Sequence, residues 1–263
     1  MENRTFGECL AEAIGTFIFV LIGIGSVAIL VATETAMSYW ELAIVWGLSV
    51  TLGIYIAGFV SGAHLNPAVT ISLAVWKKFP AKKVIPYIAA QLIGAFLAAA
   101  VAFSLFHSVI GDFEAANNIT RGAASGAATA GIFATSAGAG ISMINAFFVE
   151  FLITMILMLV IYSVTDAANG GAPSSGLPAV AIGLTVAVCG LAFGTLTGFA
   201  MNPARDLGPR LFTLVAGWGT TALGENMYGL IVPIFGPILG AITAGLVYFK
   251  LLVPYFPKIE TEN

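Results

Sequence analysis

The chain has 263 residues, of which 59% are hydrophobic and only 9% charged, with a formal net charge of −3. A soluble domain carries roughly a quarter charged residues, so this surface is expected to face lipid. No basic patch with interleaved aromatics occurs, which excludes nucleic-acid binding.

In chain order, apolar runs of bilayer-crossing length, about 20 residues, are predicted near residues 10–31, 40–59, 84–106, 144–164, 178–196 and 230–253. The first is long and lacks a small-residue cleavage site, so it reads as a retained span. After the second span comes SGAHLNPAVT, Ser61 to Thr70, followed by an apolar stretch over residues 67–75 that is too short to cross. After the fifth comes TGFAMNPARD, Thr197 to Asp206, followed by a second short stretch over residues 203–215. Such lengths suit re-entrant segments. Residues 107–143 join the halves in a Gly-, Ala- and Ser-rich segment carrying Asp112, Glu114 and Arg121. Cys9 and Cys189 lie in apolar stretches without CxxC spacing and read as ordinary buried thiols. No metal or cofactor is implied.

The two halves match beyond the doubled Asn-Pro-Ala. Glu12 and Thr16 correspond to Glu150 and Thr154, and Gly94-Ala95 corresponds to Gly240-Ala241. Three spans per half force the second half to insert upside down, so the chain reads as one domain, 1–263, of inverted repeats at about 8–106 and 144–253. Such repeats usually place their functional site at the interface near the midplane. Arg4, Lys77, Lys78, Lys82, Lys83, Lys250 and Lys258 fall on one side, against Arg121, Arg205 and Arg210 on the other. The positive-inside rule places both termini in the cytoplasm.

Asn is a favoured N-cap and Pro suits the first helical position. Asn66-Pro67-Ala68 and Asn202-Pro203-Ala204 should therefore each begin a half-helix, the two meeting tip to tip with their positive dipole ends together. The backbone before each Asn must run non-helically at membrane depth, tolerated where it lines a water-filled cavity. The carbonyls of Gly62, Ala63 and His64, and of Gly198, Phe199 and Ala200, would then form a ladder of acceptors. Glu12 and Glu150 are ionisable groups inside spans. They serve either an ion path or as acceptors for loop N–H groups, and their symmetric placement favours the second.

These residues make the chain resemble the major intrinsic protein family of aquaporins and glycerol facilitators, over roughly Cys9 to Leu252. The resemblance implies an all-α integral membrane fold of six transmembrane helices plus two re-entrant half-helices. It implies an outer constriction of Trp46, Gly190, Phe199 and Arg205. Water-selective members typically carry His where Gly190 stands; here the space freed lets Phe199 and Trp46 form an apolar corner, with Arg205 donating from the opposite side. Val50, Leu157, Val186 and Phe19 are expected as apolar walls. Asp206, Arg210 and the pair Pro233-Ile234 resemble the bacterial glycerol-facilitator subgroup. The implied function is passive conduction of glycerol and related neutral solutes, with water, in the plasma membrane by a homotetramer. Alternatives are a channel mainly for water, urea, dihydroxyacetone or undissociated lactic acid, and, from other classes, a membrane enzyme or a coupled transporter.

Overall fold

The computed structural model describes residues 2–257; Lys258, one of the charges used for orientation, lies outside them. Among the described residues there is no strand, and six helices are long and apolar enough to cross a membrane. The first half comprises α1 (Glu2–Ala32), α2 (Tyr39–Ser61), the short α3 (Pro67–Trp76) and α4 (Ala81–Ala116). A one-turn α5 (Ala127–Ala130) interrupts the connecting segment. The second half repeats the pattern with α6 (Met143–Thr165), α7 (Leu177–Thr197), the short α8 (Pro203–Thr213) and α9 (Tyr228–Leu246).

Local chemistry sets the helix starts. Ser38 and Glu41 form a reciprocal capping box at α2. Asn66 and Asn202 cap α3 and α8, each with Pro at the first helical position. At 1.5 Å per residue the half-helices are about 15 Å long, half of a hydrocarbon core of about 30 Å.

Packing repeats between the halves. α1 packs on α2 and α4 as α6 packs on α7 and α9, and α2 meets α7 between them. The half-helices are exchanged: α3 lies on α9, and α8 on α4. The matched glycines explain the closest approaches. A Cβ at Gly94 would strike the Ala13 carbonyl of α1, and one at Gly240 the Phe151 carbonyl of α6, so only glycine lets these helices touch. Outward faces remain apolar, as along α2, where Leu48, Leu52, Ile56 and Phe59 form an exposed stripe at helical spacing. A helix apolar all round is the mark of a membrane span.

The third span differs from its expected end at residue 106. α4 continues to Ala116 because its extension has something to pack on: Ile110 is fully buried and Glu114 is nearly so. Glu114 accepts from Arg121 Nε at 2.9 Å and from Thr129 Oγ1 at 2.8 Å. Trp218 Nε1 donates to Thr129 Oγ1 at 3.0 Å, and the Arg121 guanidinium lies 4.3 Å over the Trp218 ring. The network ties the connecting segment to α4 and to the loop after α8. Arg121→Ala is expected to cost about 1.5–3 kcal/mol, the range for a hydrogen bond to a charged group. Limited proteolysis between residues 117 and 141 should then speed up several-fold.

Candidate functional site

The two loops that precede the half-helices are built alike. In the first, the N–H groups of His64 and Leu65 donate to Glu12 Oε1 and Oε2 at 2.8 and 2.6 Å. In the second, those of Ala200 and Met201 donate to Glu150 Oε1 and Oε2 at 2.9 and 2.8 Å. Both carboxylates are fully buried. The hydroxyls one step upstream act in the same way: Ala63 N–H donates to Ser61 Oγ at 3.0 Å, and Phe199 N–H to Thr197 Oγ1 at 3.3 Å.

A planar trans peptide points its C=O opposite to its N–H. Turning the N–H groups of residues 63–65 toward Ser61 and Glu12 therefore turns the carbonyls of Gly62, Ala63 and His64 the other way. The same argument turns those of Gly198, Phe199 and Ala200 away from Thr197 and Glu150. None of these six carbonyls accepts a hydrogen bond from the described residues. The conformation is demanding, with positive φ at Ala63 (48°), Leu65 (52°), Phe199 (41°) and Met201 (52°), beside Gly62 and Gly198. Such angles cost about 1 kcal/mol or more per non-glycine residue and persist only where surrounding contacts dictate them. The two carboxylates are those contacts.

The loops are also tied to each other. Asn66 Nδ2 donates to the Met201 carbonyl at 2.9 Å and Asn202 Nδ2 to the Leu65 carbonyl at 2.7 Å. Each asparagine oxygen caps its own half-helix, Asn66 through Ala68 N–H at 2.8 Å and Asn202 through Ala204 N–H at 2.9 Å. Each amide therefore has one N–H left for the lumen. The ladder stops one residue short of each Asn because the last carbonyl is taken. Pro67, Ala68, Pro203 and Ala204 are buried behind the tips and line neither of the two cavities described next.

A cavity of about 260 Å³ runs past these groups. Phe19, Val50, Leu157 and Val186 line it together with Ile54, Ile161 and Ile182, while Gly62, Ala63, His64, Ala200, Asn66 and Asn202 supply the polar wall. The His64 ring contacts Phe79 and Tyr87, and its Nδ1 lies 3.1 Å from Thr70 Oγ1. A second cavity of about 240 Å³ is lined by Tyr39, Thr135, Ser136, Thr195 and Gly198. The two share Trp46, Phe199 and Arg205, so these three side chains stand at the junction.

Trp46 and Phe199 meet edge to face, 6.2 Å between centroids. Gly190 lines neither cavity but determines where Phe199 lies: a Cβ there would meet the phenyl ring at 3.0–3.2 Å. Gly194, one helical turn on, cradles the same ring, with a Cβ contact of 2.6 Å. The sequence reading missed Gly194, although its i+4 spacing from Gly190 on one helix face is the available signal. One expectation is corrected. Arg205 does not stand opposite the aromatic corner: its guanidinium lies 4.0 Å over the Trp46 ring, where a buried cation gains from the indole face. Its side chain makes no hydrogen bond to the described residues.

Asp206 and Arg210, on the half-helix that carries Arg205, form a buried ion pair. Asp206 accepts from the Thr135 N–H at 2.8 Å and hydroxyl at 2.7 Å. Arg210 donates to the Thr135 carbonyl, and to the Ala222 carbonyl at 2.7 Å. They thus fasten the connecting segment to α8 at the second cavity. Pro233 is buried within α9 and Ile234 half-buried, and neither borders these two cavities.

The chain is similar to the glycerol uptake facilitator protein of Escherichia coli K12, 45% identical over 253 residues covering 95% of this chain and 90% of that one. It is 46% identical to the glycerol uptake facilitator protein of Pseudomonas aeruginosa over 255 residues, 96% of this chain and 91% of that one. Its fold superposes on the X-ray structure of the aquaglyceroporin from Plasmodium falciparum with a TM-score of 0.85 and 34% identity, covering 95% and 98% of the two chains. The architecture is the aquaporin fold of a multi-pass membrane protein. The family model described as Major intrinsic protein matches residues 2–248, and the chain belongs to the major intrinsic protein family.

Proposed function

We propose that the protein is a passive channel conducting glycerol and related small neutral solutes, with water, down their gradients. The observation that carries this reading is the seating of Phe199 on Gly190, where the phenyl ring occupies the volume a side chain on α7 would take. The apolar corner this leaves with Trp46 suits the C–H edge of a polyol. The free donors of Arg205 and the six unpaired carbonyls suit its hydroxyls. The named relatives, glycerol uptake facilitators, support the same solute class.

Conduction needs stations that bind weakly enough to release. The solute exchanges its water shell first for Arg205, then for the ladder carbonyls and the remaining amide N–H of Asn202 and Asn66. The opposed positive ends of α3 and α8, together with Arg205, raise the barrier against protons and cations. No reaction is carried out on the solute, and the halves do not rock. The buried ties from Glu12 and Glu150 support a fixed frame. The two halves insert in opposite senses with both termini cytoplasmic, and four copies assemble, each with its own pore, as the resemblance implies.

Proteoliposomes shrunk by a glycerol gradient are expected to re-swell at least about tenfold faster than empty vesicles, a barrier lowered by about 1.4 kcal/mol or more. The rate should be independent of ionic gradients. Vesicles that shrink and stay shrunk would mean a water-selective pore. The same assay with urea and with lactic acid near its pKa ranks the other solutes.

A further inference from the structure

Trp46 has a seat of its own. A Cβ at Gly23 would overlap three atoms of the six-membered ring of Trp46, Cη2, Cζ3 and Cζ2, so the indole rests directly on the α1 backbone. Gly23 does not border the lumen cavities, yet it lies on the face of α1 that serves the pore. Glu12, Thr16, Phe19 and Gly23 follow one another at helical spacing and all are buried. Glu12 holds a loop and Phe19 lines the cavity. Gly23 is the next station outward, level with the constriction.

The inverted half shows what that station holds when no indole is present. Glu12 and Phe19 correspond to Glu150 and Leu157, which brings Gly23 onto Ile161. Ser61 and Thr197 correspond, which brings Trp46 onto Ile182. Gly47 and Gly183, each packed on the other's carbonyl across α2 and α7, keep this register. Ile161 and Ile182 both line the first cavity. One half therefore fills the position with two isoleucines, and the other with an indole laid on a glycine.

We infer that Gly23 is a specificity-determining residue of this pore, acting through Trp46 without touching the solute. The inference rests on the glycerol reading above. A methyl group at 23 cannot share space with the ring, because carbon atoms pack at about 3.5–4.0 Å. Backed by α1, the indole must move toward the junction where Arg205 and Phe199 already stand. That narrows the passage for a three-carbon polyol far more than for water.

The test is a cycle of Gly23→Ala with Trp46→Phe, reading glycerol and water permeability in proteoliposomes. Phenylalanine is too short to reach Gly23, so the two substitutions should couple. Gly23→Ala is expected to lower the glycerol-to-water ratio about tenfold with Trp46 present, within the range that one methylene changes in a pocket. In the Trp46→Phe background the same substitution should change the ratio less than about twofold. An unchanged ratio with Trp46 present overturns the inference. So does an equal effect in both backgrounds, including loss of all flux, which would make Gly23 a helix-packing residue only. Wild-type vesicles that pass water but no glycerol would instead overturn the solute reading, and this inference with it.

Discussion

Replacing Gly190 by His together with Phe199 by Thr is expected to cut glycerol flux at least about tenfold, a barrier raised by about 1.4 kcal/mol or more, while water flux stays within about threefold of wild type. The reason lies in the seat on α7. A Cβ at 190 already meets the phenyl ring at 3.0–3.2 Å, so an imidazole there needs the volume that Phe199 fills. Threonine at 199 vacates it. The exchange removes the apolar wall of the corner and adds a hydrogen-bonding ring beside Arg205, an arrangement that serves water and offers nothing to C–H groups. Stopped-flow light scattering on the same vesicle preparation measures both fluxes. Equal loss of glycerol and water flux would place the constriction elsewhere. Gly190→Ala alone should act in the same direction with a smaller effect, since the ring has to give by only a few tenths of an ångström.

Glu150→Ala is expected to abolish both fluxes and to lower the unfolding temperature in detergent by many degrees. It strips Ala200 and Met201 N–H of their acceptor in a fully buried site. A buried donor left unpaired costs about 1–3 kcal/mol, so the pair costs about 2–6 kcal/mol. The same loop holds Phe199 at φ 41° and Met201 at φ 52°, and it relaxes once nothing dictates those angles. Phe199 then leaves its seat and the ladder loses its direction. Glu150→Gln should fall between the two, because one amide oxygen accepts while the amide N–H₂ faces the second donor. A Glu150→Ala protein that melts and conducts like wild type would show that the loop is held by other contacts. Glu12→Ala should be at least as damaging, since Glu12 also accepts from Ser61 Oγ at 2.6 Å and Gln91 Nε2 at 2.7 Å.

Much of this pore is readable in one dimension because its parts obey short-range rules. An Asn followed by Pro starts a helix whatever surrounds it, so α3 and α8 begin at the expected residues, Pro67 and Pro203. Six apolar runs announce six spans because hydrocarbon admits little else. The doubled motif, with Glu12 and Glu150 at matching places, marks the residues that meet at the loops. The expected end of the third span at residue 106 was short because the helix is sustained by Glu114, Arg121 and Trp218. Those residues come together only after the chain has folded back.

The sequence by itself determined the spans, the half-helix starts and the paired carboxylates, which follow from local hydrophobicity, capping and matching register, whereas the members of the constriction were implied only by the family resemblance. The tertiary structure alone decided how those members sit. The bonds from Asn66 to Met201 and from Asn202 to Leu65 join residues 135 and 137 positions apart, and they end the carbonyl ladder where they do. Arg205 rests on Trp46, Trp46 on Gly23, and Phe199 on Gly190 and Gly194, each an arrangement between different helices and loops. Capping and hydrophobic runs act within a few residues and leave a local trace. Width and polarity at the constriction depend on which backbones approach closely enough to need a glycine, and that is a property of packed helices.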